Sequence, residues 1–145
     1  MLSNTSRYAI RALIYLAINS NDRTKIGIKK IAEDLDIPSP FLGKILQTLA
    51  KQKVLLSTKG PNGGFALSDK MKSIPLIDII KIIDGDDLFD RCLVSNKSCK
   101  EMEGNPCTLH THYEKIREEI HEMFESHTIE GLAKEFIDAQ GAIDL

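Results

Sequence analysis

Three stretches with helical apolar spacing crowd into the first 52 residues, and a glycine-rich hairpin signal follows at once, an order that leaves few folds open. From Asn4 to Asn19, Tyr8, Leu13, Leu16 and Ala17 are among the apolar positions, and Ser20–Thr24 breaks the pattern with polar residues. Ile28, Ile31, Ala32 and Leu35 predict a short second helix. It stops before Ile37-Pro38 because a residue ahead of proline avoids helical angles. Ser39 as N-cap and Pro40 at the first helical position predict a third helix running to about Gln52. On it Leu42, Ile45, Leu46 and Leu49 fill one sector of roughly 100°, and Pro40, Lys44, Gln47, Thr48 and Lys51 occupy much of the opposite side. Val54–Thr58 and Phe65–Ser68 predict two strands joined by Lys59-Gly60-Pro61-Asn62-Gly63-Gly64.

Charge is divided as sharply as pattern. Residues 1–83 carry 13 Lys and Arg against 6 Asp and Glu, whereas residues 84–145 carry 6 against 15. A basic first half suits a polyanion, because neutralised phosphates release counterions, and the acidic second half must face away from it. Three helices, a two-stranded hairpin and this charge together predict a mainly α, winged helix-turn-helix fold that reads double-stranded DNA. On that reading Ser39 and Lys51 contact phosphates, and Pro40, Phe41, Lys44, Gln47 and Thr48 lie near base edges. Lys59, Gly60, Asn62, Gly63 and Gly64 form the wing, whose backbone approaches phosphates where side chains are missing. The bland alternative is a flexible hairpin. Lys29 and Lys30 supply nonspecific attraction.

Pro75 opens another short helix, with Leu76, Ile79, Ile80 and Ile83 as its stripe and Gly85 as its end. Periodicity then vanishes from Asp86 to Pro106. It returns as Leu109, Tyr113, Ile116, Ile120, Met123 and His127, steps of four and three that predict a long helix in want of a partner and hence a homodimer. A final short helix is expected near Ile129–Ile137. The expected division is a reading domain over 1–83, a cysteine-bearing loop over 84–108 and a dimerisation part over 109–145.

Cys92, Cys99 and Cys107 sit in the least core-like stretch of the chain, among Asn96, Lys97, Ser98, Gly104, Asn105 and Pro106. The first segment, Ala9 to Ile18, is interrupted by Arg11 and reads as an amphipathic helix, neither export signal nor membrane span. A reducing, cytoplasmic setting follows, in which three cysteines favour metal or thiol chemistry over a disulfide framework. Cys107 opens the long helix, where the macrodipole favours a thiolate, and His110 shares its face one turn on. Three thiolates and an imidazole can hold either zinc or an iron–sulfur cluster. Gaps wider than the usual zinc knuckle tilt the choice toward the larger core.

Ser6-Arg7-Tyr8-Ala9-Ile10-Arg11-Ala12-Leu13, Lys59-Gly60-Pro61-Asn62-Gly63-Gly64-Phe65, Arg91-Cys92 and Cys107-Thr108-Leu109-His110 together resemble the iron–sulfur cluster regulators of the IscR and NsrR type over nearly the whole chain. The resemblance implies a dimeric transcription factor on a pseudo-palindromic operator. It also implies an iron–sulfur cluster held by Cys92, Cys99, Cys107 and, in the IscR-like branch, His110; of the two cluster types left open, 2Fe–2S is favoured over 4Fe–4S. The chain departs from that pattern in having Lys59 where arginine is common, in slightly longer gaps between cysteines, and in having no Asp or Glu before Asp22 to act as a carboxylate ligand from the first helix.

The sequence offers no phosphate loop, nucleophile with base or paired carboxylates, so no enzyme is expected. The remaining alternatives are a cluster-free regulator responding through thiol oxidation or a partner protein, and a zinc-stabilised protein-interaction module.

Overall fold

The computed structural model of this 145-residue chain describes residues 2–95, 97, 98, 101 and 107–139. The first helix, α1 (Asn4–Asn19), is capped by Ser3, whose hydroxyl accepts from Ser6 N–H at 3.0 Å. Its buried stripe of Ala9, Ala12, Leu13, Leu16 and Ala17 runs through the centre of the core. α2 (Ile28–Leu35) and α3 (Ser39–Lys51) follow, separated by only Asp36, Ile37 and Pro38. That turn is a Schellman motif: Asp36 N–H bonds Glu33 O at 3.3 Å and Ile37 N–H bonds Ala32 O at 3.0 Å. Asp36 takes the left-handed position (φ 51°) and Ile37 is buried as the accompanying apolar contact. α3 begins one residue earlier than the sequence suggested. Pro38, not Ser39, is its cap, because the Pro38 carbonyl already accepts Leu42 N–H at 3.0 Å.

The wing comprises β1 (Leu56–Thr58) and β2 (Gly64–Ala66), antiparallel in the register Leu56 with Ala66 and Thr58 with Gly64. These strands are shorter than predicted at both outer ends. Val54 and Leu55 are committed to the core, and Ala66 and Leu67 pass inward beneath the helices. A third segment adds a single rung: Ile26 and Phe65 exchange both backbone hydrogen bonds at 2.9 Å.

A one-turn helix, α4 (Asp69–Lys72), leads into α5 (Leu76–Asp84), which starts after Pro75 and ends at Gly85 as expected. A second one-turn helix, α6 (Asp87–Asp90), interrupts the stretch read as aperiodic. α7 (His110–Ser126) packs on α5, and α8 (Ile129–Asp138) packs on α1 through Ile129 and Ala133. The α7–α8 link is tied to the start of α5, where Leu76 N–H bonds His127 O at 2.9 Å and Ile129 N–H bonds Ile74 O at 3.2 Å.

The predicted stripe of α7 divides in two. Phe124 is buried and Ile120 half-buried against the core, and Tyr113 is half-buried. Leu109, Ile116 and Met123, seven residues apart, stay 46%, 53% and 47% exposed. Among the described residues no helix is long and apolar enough to cross a membrane.

Candidate nucleic-acid interface and thiol pair

On α3 the residues expected at the reading face lie at the surface: Pro40, Phe41, Lys44, Gln47, Thr48 and Lys51 are exposed, and Ser39 is half-buried. The Thr48 hydroxyl donates to Lys44 O at 2.9 Å, leaving an acceptor and a methyl group outward. Phe41 is anchored edge-on against Tyr8 of α1, with ring centroids 5.7 Å apart. Arg11, on the same helix, donates to Leu35 O at 2.7 Å and caps the end of α2. Both halves of the helix-turn-helix are thus fixed to α1.

Two helix faces differ in how their cations are held. Lys29 is exposed at the start of α2, whereas Lys30 binds Asp34 at 2.7 Å. Asp34 also accepts the Tyr15 hydroxyl. Lys30, then Tyr15, hold the Asp34 carboxyl below its usual range, and the same hydrogen bond raises Lys30. Tyr15 is pushed up to about 12 by burial and then by the Asp34 hydrogen bond and charge.

In the wing, Lys59, Gly60, Pro61 and Asn62 are exposed. Gly63 and Gly64 are required by the chain itself. A Cβ on Gly63 would collide with the Thr58 carbonyl oxygen, and one on Gly64 would lie 2.5 Å from Ile26 O, where φ is +154°. Gly60 has φ +107° with open space around it.

The thiols of Cys92 and Cys107 are neighbours, close enough for Cys92 to act on the acidity of Cys107. Cys92 is buried, with its N–H on Lys97 O at 3.2 Å beside the single rung between Arg91 and Ser98, and Arg91 pairs with Asp87 at 3.0 Å. Cys107 is half-buried and its carbonyl accepts His110 N–H at 2.9 Å. The helix macrodipole does not set the acidity of Cys107. The Cys92 thiol, then burial, push its pKa up, against the backbone N–H groups of Leu109 and His110 that pull it down. His110 turns Nε2 toward Glu114, 3.7 Å away. Cys99 lies outside the described residues. Among the described residues no group of three or more His, Cys, Asp or Glu side chains is arranged to hold a metal ion.

A family model described as Rrf2, iron-dependent transcriptional regulator, matches residues 2–135. The chain belongs to the Rrf2 family. An HTH-type transcriptional regulator of Aquifex aeolicus is 37% identical over 132 residues, covering 91% of this chain and 90% of the relative. Among solved structures, IscR of T. potens superposes with a TM-score of 0.75 at 23% identity, covering 99% of this chain and 93% of that one. CymR, the global cysteine regulator of B. subtilis, superposes at 0.73 and 22%, covering 93% and 97%. At those identities both likenesses concern the fold. The Rrf2 chain is therefore a helix-turn-helix transcriptional regulator and not an enzyme, as its sequence led us to expect.

Two residues that position the Rrf2 site escaped the sequence reading. Arg11 figures in the sequence as a break in an apolar run and as part of a motif, with no sign that it caps the Leu35 carbonyl. Asp84 ends α5, where the macrodipole disfavours a carboxylate. Such a misplaced acid signals a partner elsewhere, and it binds Ser3 and Ser6 at the start of α1. Asp84, Arg91, Cys92 and Tyr113 line one recess with Ser3, so the base of α1 and the thiol loop share a wall.

Proposed function

We propose that this regulator is a cytoplasmic homodimer whose affinity for a pseudo-palindromic DNA operator follows the state of an iron–sulfur cluster. Residues 1–83 would read DNA, 84–108 sense and 109–145 pair. The observation that carries the reading is the nearness of the Cys92 and Cys107 thiols just ahead of α7, fifteen residues apart in sequence. Two neighbouring sulfurs and an imidazole one turn along fit the soft donor set that iron requires. Cys92, Cys99, Cys107 and His110 would hold a 2Fe–2S cluster, which when bound supplies one-electron chemistry and reactivity toward oxidants and nitric oxide. Glu114, beside His110 Nε2, would fix the ring's orientation.

The chain's own part is transmission. α6 lies just ahead of Cys92, and its Phe89 packs edge-on against His121 at 5.1 Å and Phe124 at 6.4 Å on α7. Rearrangement of the thiol loop would therefore move α6 against the pairing helix. At the other end, Asp84 passes it to α1, which holds α3 through Tyr8 and α2 through Arg11. The exposed line of Leu109, Ile116 and Met123 is the surface we assign to pairing.

DNA would meet the outer face of α3 and the wing. Ser39 and Lys51 serve phosphates, while Pro40, Phe41, Lys44, Gln47 and Thr48 lie near base edges. Lys29, Lys59, Gly60, Asn62, Gly63 and Gly64 add backbone contacts. A second reading, a cluster-free regulator whose thiols respond by oxidation, is favoured by the nearness of Cys92 and Cys107 and by the turn of His110 toward Glu114.

The test is the visible absorption spectrum, with iron and acid-labile sulfide assays, of protein purified without oxygen. Charge-transfer bands with stoichiometric iron and sulfide, lost in Cys107→Ala and altered in His110→Ala, support the cluster. A colourless protein that takes up none on reconstitution supports the second reading. Ile116→Asp is expected to give monomers in sedimentation.

A further inference from the structure

An open cleft of about 600 Å³ lies between the end of α3, α4 and the start of α5, away from the thiols. Its floor is apolar, with Val54 buried and Met71, Ile74, Pro75 and Ile82 half-buried. Its rim carries Lys53, Lys70 and Lys81 against a single acid, Asp78. Among the described residues none of these three lysines has an ion-pair or hydrogen-bond partner for its ammonium group. Apolar floor, cationic rim and a volume within the range of small-molecule sites occur here together.

Lys53 is placed at the rim by the turn that ends α3. It occupies the left-handed region (φ 59°) directly after α3, where its N–H bonds Ala50 O at 3.0 Å and Val54 N–H bonds Leu49 O at 3.0 Å. Glycine is the unstrained residue for that position. This is the same kind of Schellman turn that ends α2, and it holds the Lys53 cation at the rim of the cleft.

We propose that this cleft is an effector site for an amphiphilic organic carboxylate, its hydrocarbon body on Val54, Met71, Ile74 and Ile82 and its carboxylate among Lys53, Lys70 and Lys81. The site is independent of any cluster. Its position gives it a route to DNA binding. One wall is the end of the reading helix, and the opposite wall, Ile74 and Pro75, is hydrogen-bonded to the α7–α8 link through Leu76 N–H to His127 O and Ile129 N–H to Ile74 O. Filling the cleft would bias how α3 sits relative to α7.

The experiment titrates octanoate into the full-length protein and follows amide shifts by two-dimensional NMR, with octanamide as the uncharged control. Saturable shifts centred on Lys53, Val54, Met71, Ile74 and Ile82 are expected, with octanamide at least tenfold weaker and Lys81→Glu at least threefold weaker. Lys53→Gly separates strain from binding, since it is expected to raise the melting temperature while weakening octanoate. Three results overturn the proposal: shifts absent from the cleft, shifts confined to the exposed line of α7, or equal binding of octanoate and octanamide. Both variants change exposed side chains, and their circular dichroism spectra verify folding.

Discussion

Asp84 Oδ1 accepts the Ser3 hydroxyl at 2.5 Å, joining the last residue of α5 to the cap of α1 across 81 positions of sequence. Its other oxygen accepts the wholly buried Ser6 hydroxyl at 2.8 Å and Ser3 N–H at 3.3 Å. The carboxylate thus sits at the positive end of a helix while satisfying a hydroxyl that has no access to water. Asp84→Ala is expected to cost about 2 kcal/mol, the range for buried hydrogen bonds to a charged group. Asp84→Asn should cost less. Urea unfolding of the three proteins checks the order, and equal midpoints would remove this link from the chain between the thiol loop and α1.

Tyr15 yields a prediction in pH. Its pKa is raised in the folded chain, so it contributes stability that is complete below the unfolded value near 10 and is lost as pH climbs through about 12. The stability advantage of the native chain over Tyr15→Phe should therefore shrink between pH 10 and 12. Other alkaline losses are common to both proteins and cancel. A constant difference across that window would show that the Asp34 contact does not discriminate between phenol and phenolate.

Legibility in the sequence followed the range of the interactions. The bounds of α1 and α2 were readable because periodicity and their caps are local. The cap of α3 was not, since both Pro38 and Ser39 can precede Pro40 and the choice rests on which carbonyl closes the first turn. α6, one turn long, has too few residues to show a period. The alternation along α7 mixed two faces: its inward residues answer to Phe89 and α5, which no spacing rule contains. The raised pKa of Cys107 was not legible for the same reason, because its strongest influence is Cys92, fifteen residues back and invisible to a helix-dipole argument. The exposed outer face of α3 was readable as a face, but not the roles of Arg11 and Asp84 in bracing α1 and α2 beside it.

The wing predicts a graded response to added methyl groups. Gly64→Ala places a Cβ 2.5 Å from Ile26 O at φ +154° and must break the rung between Ile26 and Phe65, for an expected loss of about 3 kcal/mol. Gly60→Ala meets open space and carries only the strain of φ +107°, about 1 kcal/mol. Thermal unfolding ranks them. If Gly60→Ala proves the more damaging, the Ile26 rung does not anchor the wing.

DNA binding separates the roles assigned along α3. Lys51, exposed at the end of the helix and assigned to phosphate, contributes charge without sequence information, so Lys51→Ala should weaken all duplexes alike and lower the slope of log affinity against log salt by about 1. Gln47, exposed in the middle of the outer face, has an amide able to pair with an adenine edge. Gln47→Ala should leave the salt slope unchanged and cost about 1–3 kcal/mol on the preferred operator alone, flattening discrimination at one base position in each half-site. A salt titration of both variants on the operator and on random duplex measures the two effects independently. If Gln47→Ala lowered the slope and Lys51→Ala relaxed specificity, α3 would lie in the groove rotated from the orientation that its buried face of Leu42, Ile45, Leu46 and Leu49 implies.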